Sequence, residues 1–290
     1  MDIHIICNPV SGGSRGLKAL DRVKTVLRGK GIPFAVSLTE GPRHAETLAL
    51  AAGETKADRL LVIGGDGTLS EAAAGAVGAG LPMGIIPAGT GNDFVKTVDI
   101  PMDPDGALGC FLAGSPKDTD VLRLNDRLVL NEAGTGFDVM VLEYARHAKR
   151  FVKGLLPYLY GVIQTIFRFR SVHLTYQADD SAPVTRDVLV IGAGNGRFIG
   201  GGIPIAPEAD PADGLMDFVL VEKMKKGRML SVLPGLLQGK ILTFPETEFT
   251  RVKKLILEGA GLVMNIDGEI VPMERVSLEV LPGALKLFRP

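Results

Sequence analysis

Apolar residues in the first 120 positions fall into short unbroken runs separated by segments in which they recur every three or four residues. The runs Ile3–Cys7, Phe34–Leu38, Leu60–Ile63 and Met83–Ile86 predict strands buried on both faces. The periodic stretches Leu17–Leu27, Ala45–Ala52 and Leu69–Val77 predict helices between them. Strand and helix taking turns in this way build a parallel sheet covered by helices, an α/β domain. Beyond about Lys117 the pattern changes. Strand-like runs follow closely at Val121–Leu124, Leu128–Asn131, Val172–Tyr176, Val188–Gly192, Met216–Val221, Lys254–Leu257, Leu262–Ile266 and Val276–Val280. They predict antiparallel pairing of the β-sandwich kind, interrupted by helical insertions at 137–170 and 225–238. No repeat or low-complexity segment is present.

Composition agrees with two folded domains. A chain of 290 residues exceeds what one hydrophobic core normally absorbs. With 46% hydrophobic and 22% charged residues and a mean hydropathy of +0.24, it lies far from the disordered regime. Lys plus Arg number 32 against 33 for Asp plus Glu, a net charge of −1 that removes the basic field expected of a nucleic-acid binder. The two cysteines, Cys7 and Cys110, lie too far apart in sequence to suggest a disulfide framework or a thiolate zinc site. His4, His44, His147 and His173 have no metal-binding spacing. The opening MDIHIICNPV lacks a basic leader, and no run of 18 apolar residues occurs, so a cytoplasmic protein without a transmembrane segment is expected.

Chemistry concentrates in glycine-rich turns. Asn8-Pro9-Val10-Ser11-Gly12-Gly13 follows the first strand, Gly64-Gly65-Asp66-Gly67-Thr68 the third and Pro87-Ala88-Gly89-Thr90-Gly91-Asn92-Asp93 the fourth. Each turn therefore falls at the carboxyl edge of a parallel sheet, where ligands bind. Glycines let backbone N–H groups approach phosphate oxygens, and a helix N-terminus adds partial positive charge. Asp66 inside such a loop repels phosphate unless a cation intervenes, which points to magnesium. There is no GxxxxGK[ST]. Gly192-Ala193-Gly194-Asn195-Gly196 does not fit a dinucleotide fingerprint, because no GxGxxG register is present.

NPVSGG, GGDGTLSEA and PAGTGNDF, in this order, resemble the catalytic-domain superfamily of diacylglycerol, sphingosine and ceramide kinases, and within it the soluble bacterial lipid kinases. The likeness continues through AGTGFDVMV at 133–141, GNGRFIGGGIPIAPEADPADGLMDFVLV at 194–221 and NIDGEI at 265–270. GGDGT alone is shared with NAD kinases; the combination is far more specific. The resemblance implies a phosphofructokinase-like α/β domain at 1–121 that holds ATP, with 282–290 returning to it. It also implies a β-sandwich-like lipid-substrate domain at 122–281. It places ATP on Asn8, Pro9, Val10, Ser11, Gly12, Thr39, Gly65, Asp66, Gly67, Thr68, Leu69, Ser70, Glu71, Thr90, Gly91 and Asn92. Asp66, Asp93 and Asp120 match acids near a catalytic Mg2+, and Asp210, Asp213 and the backbone of Leu215 a second, structural one. The resemblance also implies a proton acceptor within Asp267-Gly268-Glu269, with Glu269 favoured over Asp267.

Two departures qualify the match. Ser70 stands where relatives usually carry asparagine, and Ala212-Asp213-Gly214 where paired acids are common. The segment 143–170 mixes Arg146, Lys149, Arg150, Lys153, Arg168 and Arg170 with aromatics and leucines; it reads either as an interfacial helix on anionic lipid or as an amphipathic helix packed on the sandwich. The leading reading is an ATP- and Mg2+-dependent lipid kinase transferring the γ-phosphate of ATP to a lipid hydroxyl, with diacylglycerol giving phosphatidic acid. The alternatives are an NAD kinase and a nucleotide-binding regulator without turnover. A lipid at the membrane surface is the expected partner, with peripheral association; a homodimer is left open.

Overall fold

The computed structural model of the chain describes residues 1–148 and 156–290. These divide into two compact units, Met1–Val121 with Pro282–Pro290, and Leu122–Leu281. The first unit carries β1 (Ile3–Cys7), α1 (Arg15–Gly29), β2 (Phe34–Leu38), α2 (His44–Ala52), β3 (Arg59–Gly64), α3 (Asp66–Ala79), β4 (Met83–Pro87), the short α4 (Asp93–Thr97), α5 (Pro104–Ala113) and most of β5 (Pro116–Leu124). Strands run in the order β2-β1-β3-β4, all parallel, with Cys7 beside Leu38 and Ile63, and Ile63 beside Ile86. The expected α/β layer is therefore present. β3 and β4 are buried almost throughout, as strands covered on both faces must be. α1 turns Leu20, Val23 and Leu27 inward at the spacing its sequence predicts.

The second unit comprises the end of β5, then β6 (Arg127–Val129), β7 (Glu132–Gly136), α6 (Phe137–Ala148), α7 (Leu156–Arg168), β8 (Val172–Ala178), β9 (Val184–Gly194), β10 (Phe198–Ile199), β11 (Ile203–Pro204), β12 (Met216–Glu222), α8 (Lys226–Leu237), β13 (Thr247–Val252), β14 (Lys254–Glu258), β15 (Val263–Ile266), β16 (Glu269–Pro272) and the first part of β17 (Arg275–Phe288). Its strands pair antiparallel, β7 with β9 and β15, β9 with β8 and β12, and β14 with β8 and β17. Burial alternates along β14 and β17, and the inward residues, among them Leu174, Val188, Phe218, Leu255, Met264 and Leu278, share one core.

Several boundaries differ from the sequence expectation. Of the expected run Leu128–Asn131 only Leu128 and Val129 are strand, in β6, and a strand the sequence does not signal, β7, follows at the glycine-rich Glu132–Gly136, which is poor in β-branched residues. β13 gives no strand signal of its own, since only Phe249 and Val252 of its six residues are apolar. α3 starts at Asp66 rather than Leu69, since its first turn carries the loop motif instead of apolar periodicity. Among the described residues the insertion at 137–170 carries two helices, α6 and α7.

Within the first unit the stretch Pro282–Pro290 pairs with β4 at Leu287–Met83 and buries Leu285, Leu287 and Phe288. The Phe288 ring meets Phe111 edge-on at 4.8 Å between centroids, and the Arg59 guanidinium lies 5.3 Å from its centre. Asp120 accepts a hydrogen bond from the Gly283 amide at 2.7 Å. Phe288→Ala is expected to destabilise the first unit by about 3–5 kcal/mol, the usual cost of deleting a buried aromatic ring. Urea unfolding should show the midpoint fall; an unchanged midpoint would mean that this stretch is not part of the first unit's core.

Candidate functional site

The loops after β1, β3 and β4 leave one edge of the parallel sheet side by side. Gly12 has φ 58°, and a Cβ there would come within 2.2 Å of the Ala88 carbonyl, so only glycine lets the first loop pass the third. Gly65 and Gly89 meet backbone to backbone: a Cβ on Gly65 would lie 2.8 Å from the Gly89 Cα. α3 begins at Asp66 behind Gly65, an N-cap residue that has no side chain to cap the first amides. Beyond the Gly67 Cα, in that first turn, there is open space. An uncapped helix N-terminus beside open backbone attracts anionic oxygen.

Side chains brace this edge. Asn8 donates to Thr68 Oγ1 at 3.0 Å and accepts from the Val10 amide at 3.1 Å. Arg15, at the start of α1, donates to the carbonyls of Gly12 at 3.2 Å and Gly89 at 2.8 Å, so one guanidinium bridges the first and third loops. Asp66 accepts from the Asp93 amide at 2.6 Å, with the amides of Asn92 and Phe94 also turned to it. Burial pushes the Asp66 carboxyl up to about 6, and the Asp93 charge adds to this against the pull of those amides. Asp93 is buried and pairs with Lys96 at 3.0 Å. Thr39 is buried just past β2, and Glu71 accepts from the Ala45 amide at 3.2 Å.

A second polar cluster lies in the other unit. Asp267, at φ 47° in the turn between β15 and β16, accepts from the amides of Leu130 at 2.8 Å, Asn131 at 3.0 Å and Glu132 at 2.9 Å. Glu269, two residues on, is exposed and pairs with Arg127 at 3.1 Å. Arg146 of α6 donates to the intervening Gly268 carbonyl at 2.8 Å. Behind the turn, Glu132 and Asp138 are buried, and one carboxylate oxygen of each lies within 3 Å of the point where a Cβ on Gly134 would sit. Asn265 donates to Asp138 at 3.2 Å.

Known proteins match on both halves. Residues 2–124 fit the family described as the diacylglycerol kinase catalytic domain, and residues 131–289 the YegS C-terminal NAD kinase beta sandwich-like domain. A diacylglycerol kinase of Mycobacterium tuberculosis is 30% identical over 295 residues, covering 99% of this chain and 95% of that protein. The chain belongs to this lipid kinase family. A Pseudomonas aeruginosa protein described as "Probable lipid kinase YegS-like" is 36% identical over 301 residues, covering 100% of this chain and 96% of its own length. The crystal structure of a diacylglycerol kinase from Bacillus anthracis shares the fold, with a TM-score of 0.75 at 18% identity and coverage of 100% and 97%. The chain is thus a kinase, a phosphotransferase with the α/β and β-sandwich-like domains of its family.

Within this lipid kinase the structure gathers Asn8, Pro9, Val10, Ser11, Gly12, Thr39, the segment 65–71, Thr90, Gly91 and Asn92 at the carboxyl edge of one sheet. Asp66 and Asp93 are neighbours there; the hydrogen bond from Gly283 ties Asp120 to the returning stretch. Asp210 and Asp213 are exposed in a turn, where Asp213 accepts from the Leu215 amide at 2.9 Å. Among the described residues no three His, Cys, Asp or Glu side chains converge as a ready-made metal cage. The oxygen donors and the mutual repulsion of Asp66 and Asp93 nevertheless suit magnesium, which commonly takes one or two carboxylates and completes its shell with phosphate and water. Sequence reasoning missed Arg15, Glu132 and Asp138. Arg15 sits just past its motif, and the two acids flank AGTG without a recognisable chemical spacing.

Burial, then the charges of Asp138 and Asp267, push the Glu132 carboxyl well above the usual range. The folded chain therefore holds a proton that the unfolded chain has already released, and stability falls as pH rises above the ordinary glutamate value of about 4.3. Glu132→Gln removes that loss. Relative to the parent, the variant should be more stable at about pH 8 than at about pH 5. An equal difference at both pH values in urea unfolding would show that Glu132 carries no such proton.

Proposed function

We propose that this lipid kinase uses ATP and Mg2+ to phosphorylate the free hydroxyl of diacylglycerol, giving phosphatidic acid, as a cytoplasmic protein that works peripherally on the membrane. The observation that carries the reading is the uncapped start of α3, bracketed by the Gly65–Gly89 contact and by the carboxylate of Asp66. The backbone of 65–68 and the Arg15 guanidinium bind the phosphates. Asp66 and Asp93, with Asp120, would hold the catalytic ion, and Asp210, Asp213 and the Leu215 backbone a structural one. Magnesium supplies charge neutralisation on the transferring phosphoryl group.

Phosphoryl transfer then needs a group to accept the hydroxyl proton. As the lipid oxygen bonds to the γ-phosphorus, the bond to the bridging oxygen breaks, ADP leaves, and the proton passes to the acceptor. Glu269 suits that task because its carboxylate is exposed, with Arg127 beside it. Asp267 has both oxygens engaged by three amides, so its role is to set the turn that presents Glu269. The second unit's family description includes NAD kinase, which makes NAD the acceptor to test alongside lipids.

Radiolabelled ATP offered with a panel of diacylglycerol, ceramide, sphingosine, phosphatidylglycerol and NAD should label diacylglycerol most rapidly; preferential labelling of another acceptor would replace the assignment. Glu269→Gln should lower kcat by roughly 10²–10⁴ with little change in KM for ATP. Normal turnover in this variant would move the proton acceptor elsewhere. Arg15→Gln, by contrast, should weaken ATP binding about tenfold or more, the worth of a charged hydrogen bond to phosphate. Calorimetry with the unchanged protein as reference decides it, and equal affinities would leave Arg15 as a loop brace only.

A further inference from the structure

α7 is anchored on one side and bare on the other. Its Gly161 rests on the backbone of α6, where a Cβ would come within 2.4 Å of the Val141 carbonyl, and Val162 and Ile166 pack with Val141 and Met229. Opposite them stand Leu156, Tyr160, Ile163 and Phe167, all between 41% and 60% exposed. At 3.6 residues per turn these four fall within about 60° of one another, a continuous apolar ridge facing outward. α8 packs beside it through Met229 and adds exposed Leu230 and Leu237. Large apolar residues left in water at this spacing mark a surface that another phase covers.

Charge indicates which phase. Residues 144–170 contain six Lys or Arg and no Asp or Glu, and residues 223–240 contain five and none, in a chain whose net charge is −1. Lys226 reaches the end of the ridge, donating to the Phe167 carbonyl at 2.6 Å. Of the basic residues earlier singled out, Lys149, Arg150 and Lys153 lie outside the described residues. Arg228 pairs with Glu246 and Lys223 with Asp187, while Lys225, Lys226, Lys240, Arg168 and Arg170 belong to the same two basic segments. An apolar ridge on segments whose own charges are all positive matches an anionic lipid interface, where affinity combines inserted apolar area with electrostatic attraction. We propose that the outer face of α7, with the exposed leucines of α8, inserts into an anionic bilayer and that apolar insertion, not charge alone, holds the protein there. The inference rests on the reading of this protein as a kinase of a membrane lipid. It adds the docking element, and α6, which carries α7, is itself tied through Arg146 to the Asp267–Glu269 turn.

The chain contains no tryptophan, so Phe167→Trp creates a unique reporter. Adding vesicles of phosphatidylcholine and phosphatidylglycerol should shift its emission to the blue and expose it to quenching by brominated lipid. A control Leu50→Trp on exposed α2 should do neither. The triple variant Leu156→Gln, Ile163→Gln, Phe167→Gln should lose about tenfold or more of vesicle binding. It should also lose the salt-resistant fraction that the parent retains, while phosphorylating dispersed short-chain diacylglycerol at the parental rate. No blue shift, or equal sedimentation of parent and triple variant with vesicles, overturns the inference. So does a dimer in the parent that the triple variant dissolves, since a second copy would then be the occupant. If neither protein phosphorylates any lipid, the assigned activity fails while the fluorescence still decides the docking face.

Discussion

The contact between the Gly65 and Gly89 backbones is the constraint on which the proposed nucleotide edge depends. Two loops that leave neighbouring parallel strands can share a phosphate only if they converge, and here they converge so closely that a methyl group on either residue would collide with the other. Asp66 completes the join by taking the first amides of α4. The acid proposed to hold a cation is thus also what fixes the third loop against the second. Arg15 does the same between the first loop and the third.

Carboxylates of the same chemistry take different roles because their surroundings differ. Asp267 is saturated by three amides, Glu269 stands in solvent, and Glu132 and Asp138 are withdrawn from water close to one another. Burial without a cationic partner favours the protonated form, whereas amide donors favour the charged one. The segment 265–269 and its neighbours therefore combine a hydrogen-bonded anchor, a solvated acid and a pair of buried acids whose carboxyls are pushed up by burial. This resembles the separation of acid and base functions seen wherever proton transfer is arranged by environment.

How much of this was legible follows from which physical signals are local. The parallel layer was readable because strands buried on both faces are unbroken apolar runs, as at Leu60–Ile63 and Met83–Ile86. The three glycine-rich loops at the sheet edge were readable because glycine and aspartate recur at strand ends. The different surroundings of Asp267 and Glu269 were not, since they depend on amides at 130–132 that lie far away in sequence. Nor was β7, whose residues Glu132–Gly136 satisfy the sheet through pairing with β9 and β15 rather than through their own propensity. The outward ridge of α7 shows the same limit. Its composition suggested an interface, but only packing on α6 reveals which side is left for it.

The hydrogen bond between Asp120 and Gly283 has a consequence for synthesis. Residues 282–290 close the first unit, yet a ribosome delivers them only after the whole of 122–281. The nascent N-terminal layer must wait with the flank of β4 uncovered, an open strand edge of the kind that invites mispairing. The intervening segment is continuous in sequence. Its early completion would shorten the effective loop that the last strand has to bridge, lowering the entropic cost of the final closure.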